Sequence, residues 1–330
     1  MFDQPYSTIK NPYLTFEGDA HAVLNAAANN LPGVRKIYPG GGMSGVCATG
    51  CAAAGERLHK SSPRVRRSDC YANSVGGSTA LGEAYGNMRL FAHKYYRNFC
   101  TEDFISSWTT IPCLLGQKIS TEFYAKEMRE LVEENQSPHP LNRLCIGLTR
   151  YEDAQPIAIP VRFSDKKQTI DLVRATASIP GISEGLHMIN GVAYCDGMIA
   201  DPLPVRSAIR RGPRPRFLLV VMTCPESAYI GEPTWSEYML YNLKRRKIPT
   251  VLREALLSRH ERFLEQLAWV RDQEKLSLSD PDRELPPTCI VWPKEHVGMF
   301  EIDPKVIKQA LARSFRGWQQ VYSQTKEYAT

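Results

Sequence analysis

The stretch RFLLVVMTC (216–224) carries no polar side chain from Phe217 to Met222. A strand with one wet face alternates apolar and polar residues. An unbroken apolar run is the pattern of an inner strand covered on both faces, as in a parallel sheet packed between helices. The rest of the chain alternates short apolar runs with helical periodicity, as α/β organisation requires. VRKIY (Val34–Tyr38) reads as the first strand and PGGGMSG (39–45) as the loop after it. VCATGCAAAGERLHK follows as a helix. DCYA reads as a short strand leading to Ser74, and STALGEAYGNMRLFAHKYY after it as one helix. LNRLCIGLTRY and AIPVRF read as two strands of a hairpin, GVAYC as a strand ending at Asp196-Gly197, and PTCIVWP as the last strand. Asp303 and Pro304 predict the cap and first turn of a final helix. The fold class expected is a three-layer α/β/α arrangement with a central, mostly parallel sheet.

A chain of 330 residues suits two domains by length alone. Strands of one apparent sheet lie on both sides of RRGPRPR, however, so a single domain over 1–330 is expected. Its motif core spans about 34–224, completed by 225–330. SLSDPDRELPP reads as an exposed loop. Apolar residues at 43%, charged residues at 23% and a net charge of +6 are those of an ordinary globular protein. The positive balance is too mild to predict nucleic acid as a partner and is compatible with anionic lipid head groups. The nine cysteines are scattered without a CxxC pair, which predicts reduced, mostly buried thiols and a cytoplasmic setting. Cys47 and Cys51 stand four apart on a helix, but no partner pair completes a metal site. The N-terminus shows no signal peptide, and no window is apolar enough to span a bilayer. Contact with membranes, where it occurs, is expected to be peripheral.

Three stretches carry candidate chemistry. In YANSVGG (71–77), Ser74 sits between a strand and a helix with small residues, Ala72 and Gly76, two positions to either side. A nucleophile elbow needs that backbone, and a small polar loop would read the same way. In GGGMSG (40–45), bare amides after a strand can face an anion, either a tetrahedral intermediate's oxygen or a phosphate. The P-loop ending Gly-Lys-Ser/Thr is missing. Gly40, Gly42 and Gly45 do fit the dinucleotide spacing, but Glu56 and Asp69 are poorly placed as its acidic partner. A plain tight turn is the third reading. In YCDGMIADPLPV (194–205), Asp196 followed by Gly197 suits a base at a strand end, or an Asx turn.

The order GGGxxG, small-x-Ser-x-Gly-Gly, ATASIPGI (175–182) and YCDGMIADPLPVRSAIRRG resembles the patatin-like phospholipases, most closely the bacterial subgroup, over about 35–318. The resemblance implies a lipid acyl hydrolase with a Ser-Asp dyad and a lipid or phospholipid substrate. Ser74 matches the family nucleophile and Asp196 the base. Gly40, Gly41 and Gly42 match the oxyanion loop, with Gly45, Ala72, Gly76 and Gly197 in support. No metal or organic cofactor is implied. Two departures bear on the rate. Ser44 stands where the family usually carries Arg or Lys, and Met198 where Gly or Ala is usual. A homologue that binds lipid or protein with little turnover is the alternative.

Of the seven histidines, His260 and His296 follow Asp196 in the chain order of a Ser-Asp-His hydrolase, yet neither context calls for catalysis. YNLKRRK (241–247), with Trp235, Tyr238 and Tyr241, reads as a charged helix face or a lipid-phosphate contact. Over 249–275, Leu252, Leu256, Phe263, Leu267 and Val270 form a stripe expected to pack on the sheet.

Overall fold

Leu218 and Val220 turn to one side of the sheet and Leu219 and Val221 to the other, and all four are buried. The same split runs through the neighbouring strands. Ile37, Tyr71, Ile290 and Trp292 join Leu218 and Val220, whereas Tyr38, Cys70, Ala72, Cys289 and Val291 join Leu219 and Val221. Period-two alternation with both faces apolar requires a helical layer on each side. One layer holds the helices Val46–Lys60, Met88–Arg97 and Pro304–Glu327. The other holds Val205–Arg210 and Arg259–Lys275, which contribute Val205, Ala208, Phe263, Leu267 and Val270. The three-layer α/β/α expectation therefore holds. The computed structural model describes residues 9–60, 69–106, 119–135, 138, 142–183, 186–229, 231–232, 241 and 247–327.

Among these residues nine strands form one sheet: β1 (Leu14–Gly18), β2 (Val34–Tyr38), β3 (Asp69–Ala72), β4 (Arg143–Arg150), β5 (Pro156–Pro160), β6 (His187–Ile189), β7 (Val192–Asp196), β8 (Phe217–Val221) and β9 (Thr288–Pro293). The order is β1-β9-β8-β2-β3-β4-β7-β6, with β5 also on β4. The run β9-β8-β2-β3-β4 is parallel, and every pairing outside it is antiparallel. The sheet is thus mixed, with a parallel centre. The first strand is β1, not Val34–Tyr38. LTFEG is short and half polar because it lies at the edge, paired only with β9.

The helix expected after Ser74 is two. Gly76–Tyr85 ends at Gly86, which takes φ +68° and donates its N–H to the Glu83 carbonyl. Asn87 then caps Met88–Arg97 by accepting from the Leu90 N–H at 3.3 Å. The 249–275 stripe also divides, into Thr250–Leu257 and Arg259–Lys275. Ser258 Oγ donates back to the Glu254 carbonyl at 2.7 Å, a bond that bends helices. Phe263, Leu267 and Val270 pack on the sheet as expected, whereas Leu252 and Leu256 are buried in a separate cluster with Cys195 and Ile199. The final helix is capped as read: Asp303 Oδ1 accepts from the Lys305 N–H at 2.8 Å. The loop 276–287 is not wholly exposed, since Arg283 and Leu285 are buried in it.

β4 places the site. Residues 145–146 pair with β5 on one edge and β3 on the other, and residues 148–149 pair with β5 and β7. β3 and β7 therefore share one edge of β4, end to end. β3 runs parallel to it and stops at Ala72 opposite Ile146. β7 runs antiparallel and stops at Asp196 opposite Leu148. Two strand ends, one leading to Ser74 and one carrying Asp196, converge on the single residue between, Gly147.

Candidate active site

Ser74 adopts φ +53°, the left-handed region that a non-glycine residue enters only at a cost of about 1 kcal/mol. The surrounding contacts hold it there. Asn73 N–H donates to the Tyr38 carbonyl at 3.1 Å, and Ser74 N–H donates to Thr176 Oγ1 at 2.8 Å. Thr176 Oγ1 in turn donates to the Gly147 carbonyl at 2.6 Å. The amides of Gly76 and Gly77 close the turn onto the Asn73 and Ser74 carbonyls, both at 2.9 Å, so they are spent inside the turn. A Cβ on Gly76 would lie 2.0 Å from the Tyr38 carbonyl oxygen. Only glycine lets the helix start this close to the end of β2. Ala72 is fully buried.

Ser74 Oγ donates to Asp196 Oδ2 at 2.7 Å, and Asp196 Oδ1 accepts from the Met198 N–H at 2.8 Å. The backbone of Asp196 is fixed on both sides: its N–H donates to the Ser178 carbonyl at 2.9 Å, and its carbonyl accepts from Thr149 Oγ1 at 2.7 Å. Asp196 is 2% exposed. Burial raises its carboxyl from the ordinary 3.8 to about 7, against the lowering pull of the Ser74 and Met198 hydrogen bonds and the charge of Arg259. A carboxylate with that proton affinity, in contact with a hydroxyl, can take up a proton near neutrality. The Ser74 hydroxyl bonds this aspartate and not a histidine.

The glycine loop lies over the pair. A Cβ on Gly40 would lie 2.2 Å from Ser74 Cβ and 2.2 Å from Met198 Sδ, so the loop passes against both the serine and Met198. Gly41 and Gly42 have φ +154° and +60°. Gly42–Gly45 is a 3-10 turn, and a Cβ on Gly45 would press on Val75 and the Tyr95 hydroxyl, each at 2.6 Å. Among the described residues the Gly41 and Gly42 amides donate to no other backbone group. Ser44 carries no charge, and its hydroxyl donates to the Gly41 carbonyl at 2.5 Å.

All the site residues read from the sequence therefore come together. Several others were not foreseen. Asn73 Nδ2 donates to the Asp201 carbonyl at 2.7 Å and ties the serine turn to Asp201-Pro202, a pair whose sequence reads as a turn. Asp201 is itself buried and takes hydrogen bonds from Ser207 and, at 2.7 Å, from Gln266 Nε2. Gly147, Thr176, Ser178 and Thr223 complete the frame. Gly147 lies within β4, Thr176 ends the helix Lys166–Thr176 and Ser178 follows it, both inside the ATASIPGI block, and Thr223 stands two residues past β8; nothing in the sequence tied any of them to these partners.

The dinucleotide reading fares poorly. Asp69 sits at the start of β3, ion-paired with Arg35 at 2.9 Å, at the far end of the sheet from the glycines. Tyr241 is buried against Cys195 and Ile199, not an interfacial anchor, while Trp235, Tyr238 and residues 242–246 lie outside the described residues. The eight described cysteines are free thiols, and Cys113 lies outside the described residues. No helix among the described residues is long and apolar enough to cross a membrane.

The family profile described as patatin-like phospholipase matches residues 39–209, just over half of the chain. The chain belongs to the patatin-like phospholipase family. The matched segment begins at the glycine loop and contains Ser74 and Asp196. A 74-residue stretch of this patatin-like chain is 35% identical to the uncharacterized protein YjjU of Escherichia coli (strain K12). The match spans 22% of this chain and 20% of that one, about a fifth of each. A solved structure, VipD from Legionella pneumophila, aligns with 89% of this chain and 67% of its own at 8% identity and a TM-score of 0.43. Neither likeness bears on the chemistry.

Proposed function

We propose that this patatin-like chain hydrolyses carboxylic esters of lipids through Ser74 and Asp196. The observation that carries the proposal is the 2.7 Å hydrogen bond from Ser74 Oγ to a buried carboxylate, made at a strained turn beneath a glycine loop. Asp196, as carboxylate, takes the hydroxyl proton while Ser74 Oγ attacks the acyl carbonyl. The Gly41 and Gly42 amides, with Gly40 beside them, receive the developing oxyanion. Asp196 returns the proton to the leaving alcohol, forming an acyl-serine. Water enters, gives its proton to Asp196, and attacks the acyl carbon. Collapse frees the fatty acid and restores the Ser74 hydroxyl. Every step uses the chain's own groups and water.

The lipid class comes from the family description, and contact with a lipid surface is proposed to be peripheral. One unit spanning 1–330 is proposed to carry the activity, because the sheet draws paired strands β1 and β9 from opposite ends of the chain.

The pH dependence follows from Asp196. Only the carboxylate is a base, and its proton leaves at about pH 7. The acid limb of kcat/KM on a soluble ester is therefore expected to rise tenfold per pH unit below about 7 and to level above it. A limb centred near 4, the ordinary carboxyl range, would show that burial does not raise the proton affinity of the base; a limb unchanged in Asp196→Asn would remove Asp196 as the base. The second reading, binding with little turnover, is motivated by Ser44. It predicts that wild type hydrolyses p-nitrophenyl esters of no chain length and does not react with a fluorophosphonate. The hydrolase reading predicts both reactions, each lost in Ser74→Ala.

A further inference from the structure

Two side-chain hydroxyls hold the carbonyls of the glycine loop. Thr223, just past the end of β8, donates from Oγ1 to the Gly40 carbonyl at 2.9 Å. Ser44 donates from Oγ to the Gly41 carbonyl at 2.5 Å. The hydroxyls converge from two different elements, since a Cβ on Gly41 would lie 2.4 Å from each oxygen. Both residues are buried, Thr223 at 0% and Ser44 at 3% exposure, so bulk water does not compete for the carbonyls.

A trans peptide points its C=O and the following N–H in opposite directions. A bond to the Gly40 carbonyl therefore sets the Gly41 N–H on the far side of that plane. A bond to the Gly41 carbonyl does the same for Gly42 N–H. Glycine planes are the ones that most need holding: with no Cβ, Gly41 and Gly42 lack the steric limits that fix other residues. The next plane is held differently, by the Met43 N–H donating to the Met299 carbonyl at 3.0 Å.

We propose that Ser44 and Thr223 are positioning residues, which orient the Gly41 and Gly42 amides toward the acyl oxygen by anchoring the two carbonyls behind them. The inference rests on the hydrolase reading above. A neutral hydroxyl at position 44 then acts through the geometry of the backbone dipoles and contributes no charge of its own. Both hydroxyls are spent on loop carbonyls, so their effect is expected on the transition state, where the oxygen carries charge, and not on ground-state binding.

The test is steady-state hydrolysis of p-nitrophenyl butyrate, with thermal melting, for wild type, Ser44→Ala, Thr223→Val, the double variant and Thr223→Ser. Each lost anchor biases its plane by about five- to tenfold. The expected result is a kcat roughly five- to tenfold lower in each single variant and roughly 25- to 100-fold lower in the double, no more than the low end of the roughly 10²–10³ lost on deleting a donor outright. KM is expected to stay within about twofold. Thr223→Ser, which keeps the hydroxyl, should recover most of the rate, and melting should fall by no more than a few degrees in each single variant, the cost of one buried carbonyl left short of its donor. Wild-type kcat in Ser44→Ala and Thr223→Val would overturn the inference alone. A loss confined to KM, or failure of Thr223→Ser to recover the rate, would also overturn it alone. An inert wild type would take down the hydrolase reading and this inference together.

Discussion

Asp196→Asn is expected to lower ester hydrolysis by roughly 10³–10⁴-fold while making the protein more stable at pH 8. The two effects share one cause. The carboxyl is buried, and its proton affinity is raised from 3.8 to about 7. At about 1.4 kcal/mol per pH unit, holding it ionised in the fold costs on the order of 4 kcal/mol above pH 7. The sign follows from the direction of the rise. The folded state favours the protonated carboxyl, so this group's contribution is fully present below pH 3.8 and is lost as pH climbs through about 7. Asparagine never ionises and avoids the loss, but leaves one of the two donors, Ser74 Oγ or Met198 N–H, poorly matched. That returns about 1–3 kcal/mol. The net gain expected is about 1–3 kcal/mol at pH 8, turning into a loss of about 1–2 kcal/mol near pH 4, where the wild-type carboxyl is protonated and only the mismatch remains, as read by denaturant unfolding at both pH values. A variant less stable than wild type at pH 8 would show that the buried charge is compensated by something other than its two hydrogen bonds.

Gly197→Ala is the second large effect. A Cβ there would lie 2.3 Å from the Gly147 carbonyl oxygen and 2.7 Å from its carbon. Both are backbone atoms of β4, so no side chain can swing away. The strand ends must separate by about an ångström or more, at a cost of about 3 kcal/mol. Asp196 is the adjacent residue and moves with the turn. Misplacing a reacting group by about 1 Å costs roughly 10² in rate, so kcat should fall at least that far even in the fraction that stays folded. Gly298→Ala is the control: among the described residues a Cβ there meets nothing within 4 Å, and stability should change by less than about 0.5 kcal/mol. Equal behaviour of the two variants, by thermal melting and by esterase rate, would remove the close approach of β4 and the Asp-Gly turn from the account.

The parts of the site that were legible in the sequence are those whose geometry is local. Ala72, Ser74 and Gly76 mark a tight turn because steric demand acts within a few residues, and Gly40–Gly45 are conspicuous for the same reason. The inner strands were legible because burial on both faces leaves unbroken apolar runs such as Phe217–Val221. The edges of the sheet were not. β1 has five residues, and its identity as a strand comes from pairing with β9 at the other end of the chain. The antiparallel placement of β7 beside β3 on one edge of β4 left no local trace either. Gly147, Thr176 and Thr223 were hidden for a related reason. Thr176 reaches a carbonyl 29 residues away and Thr223 one 183 residues away, so the sequence around each carries no mark of its partner. The helix breaks at Gly86 and Ser258 were visible as residue types, but not as breaks. Helical periodicity continues across both, and the interruption appears only in the capping bonds.

The central claim is that Ser74 is a nucleophile made reactive by Asp196. Its most direct test is covalent labelling by a fluorophosphonate, with the adduct mapped by peptide mass spectrometry and the rate followed from about pH 5 to 9. The account predicts one adduct, on Ser74, with a labelling rate that rises through about pH 7 and is lost in Asp196→Asn. No adduct on Ser74, or a rate indifferent to both pH and Asp196, would contradict it.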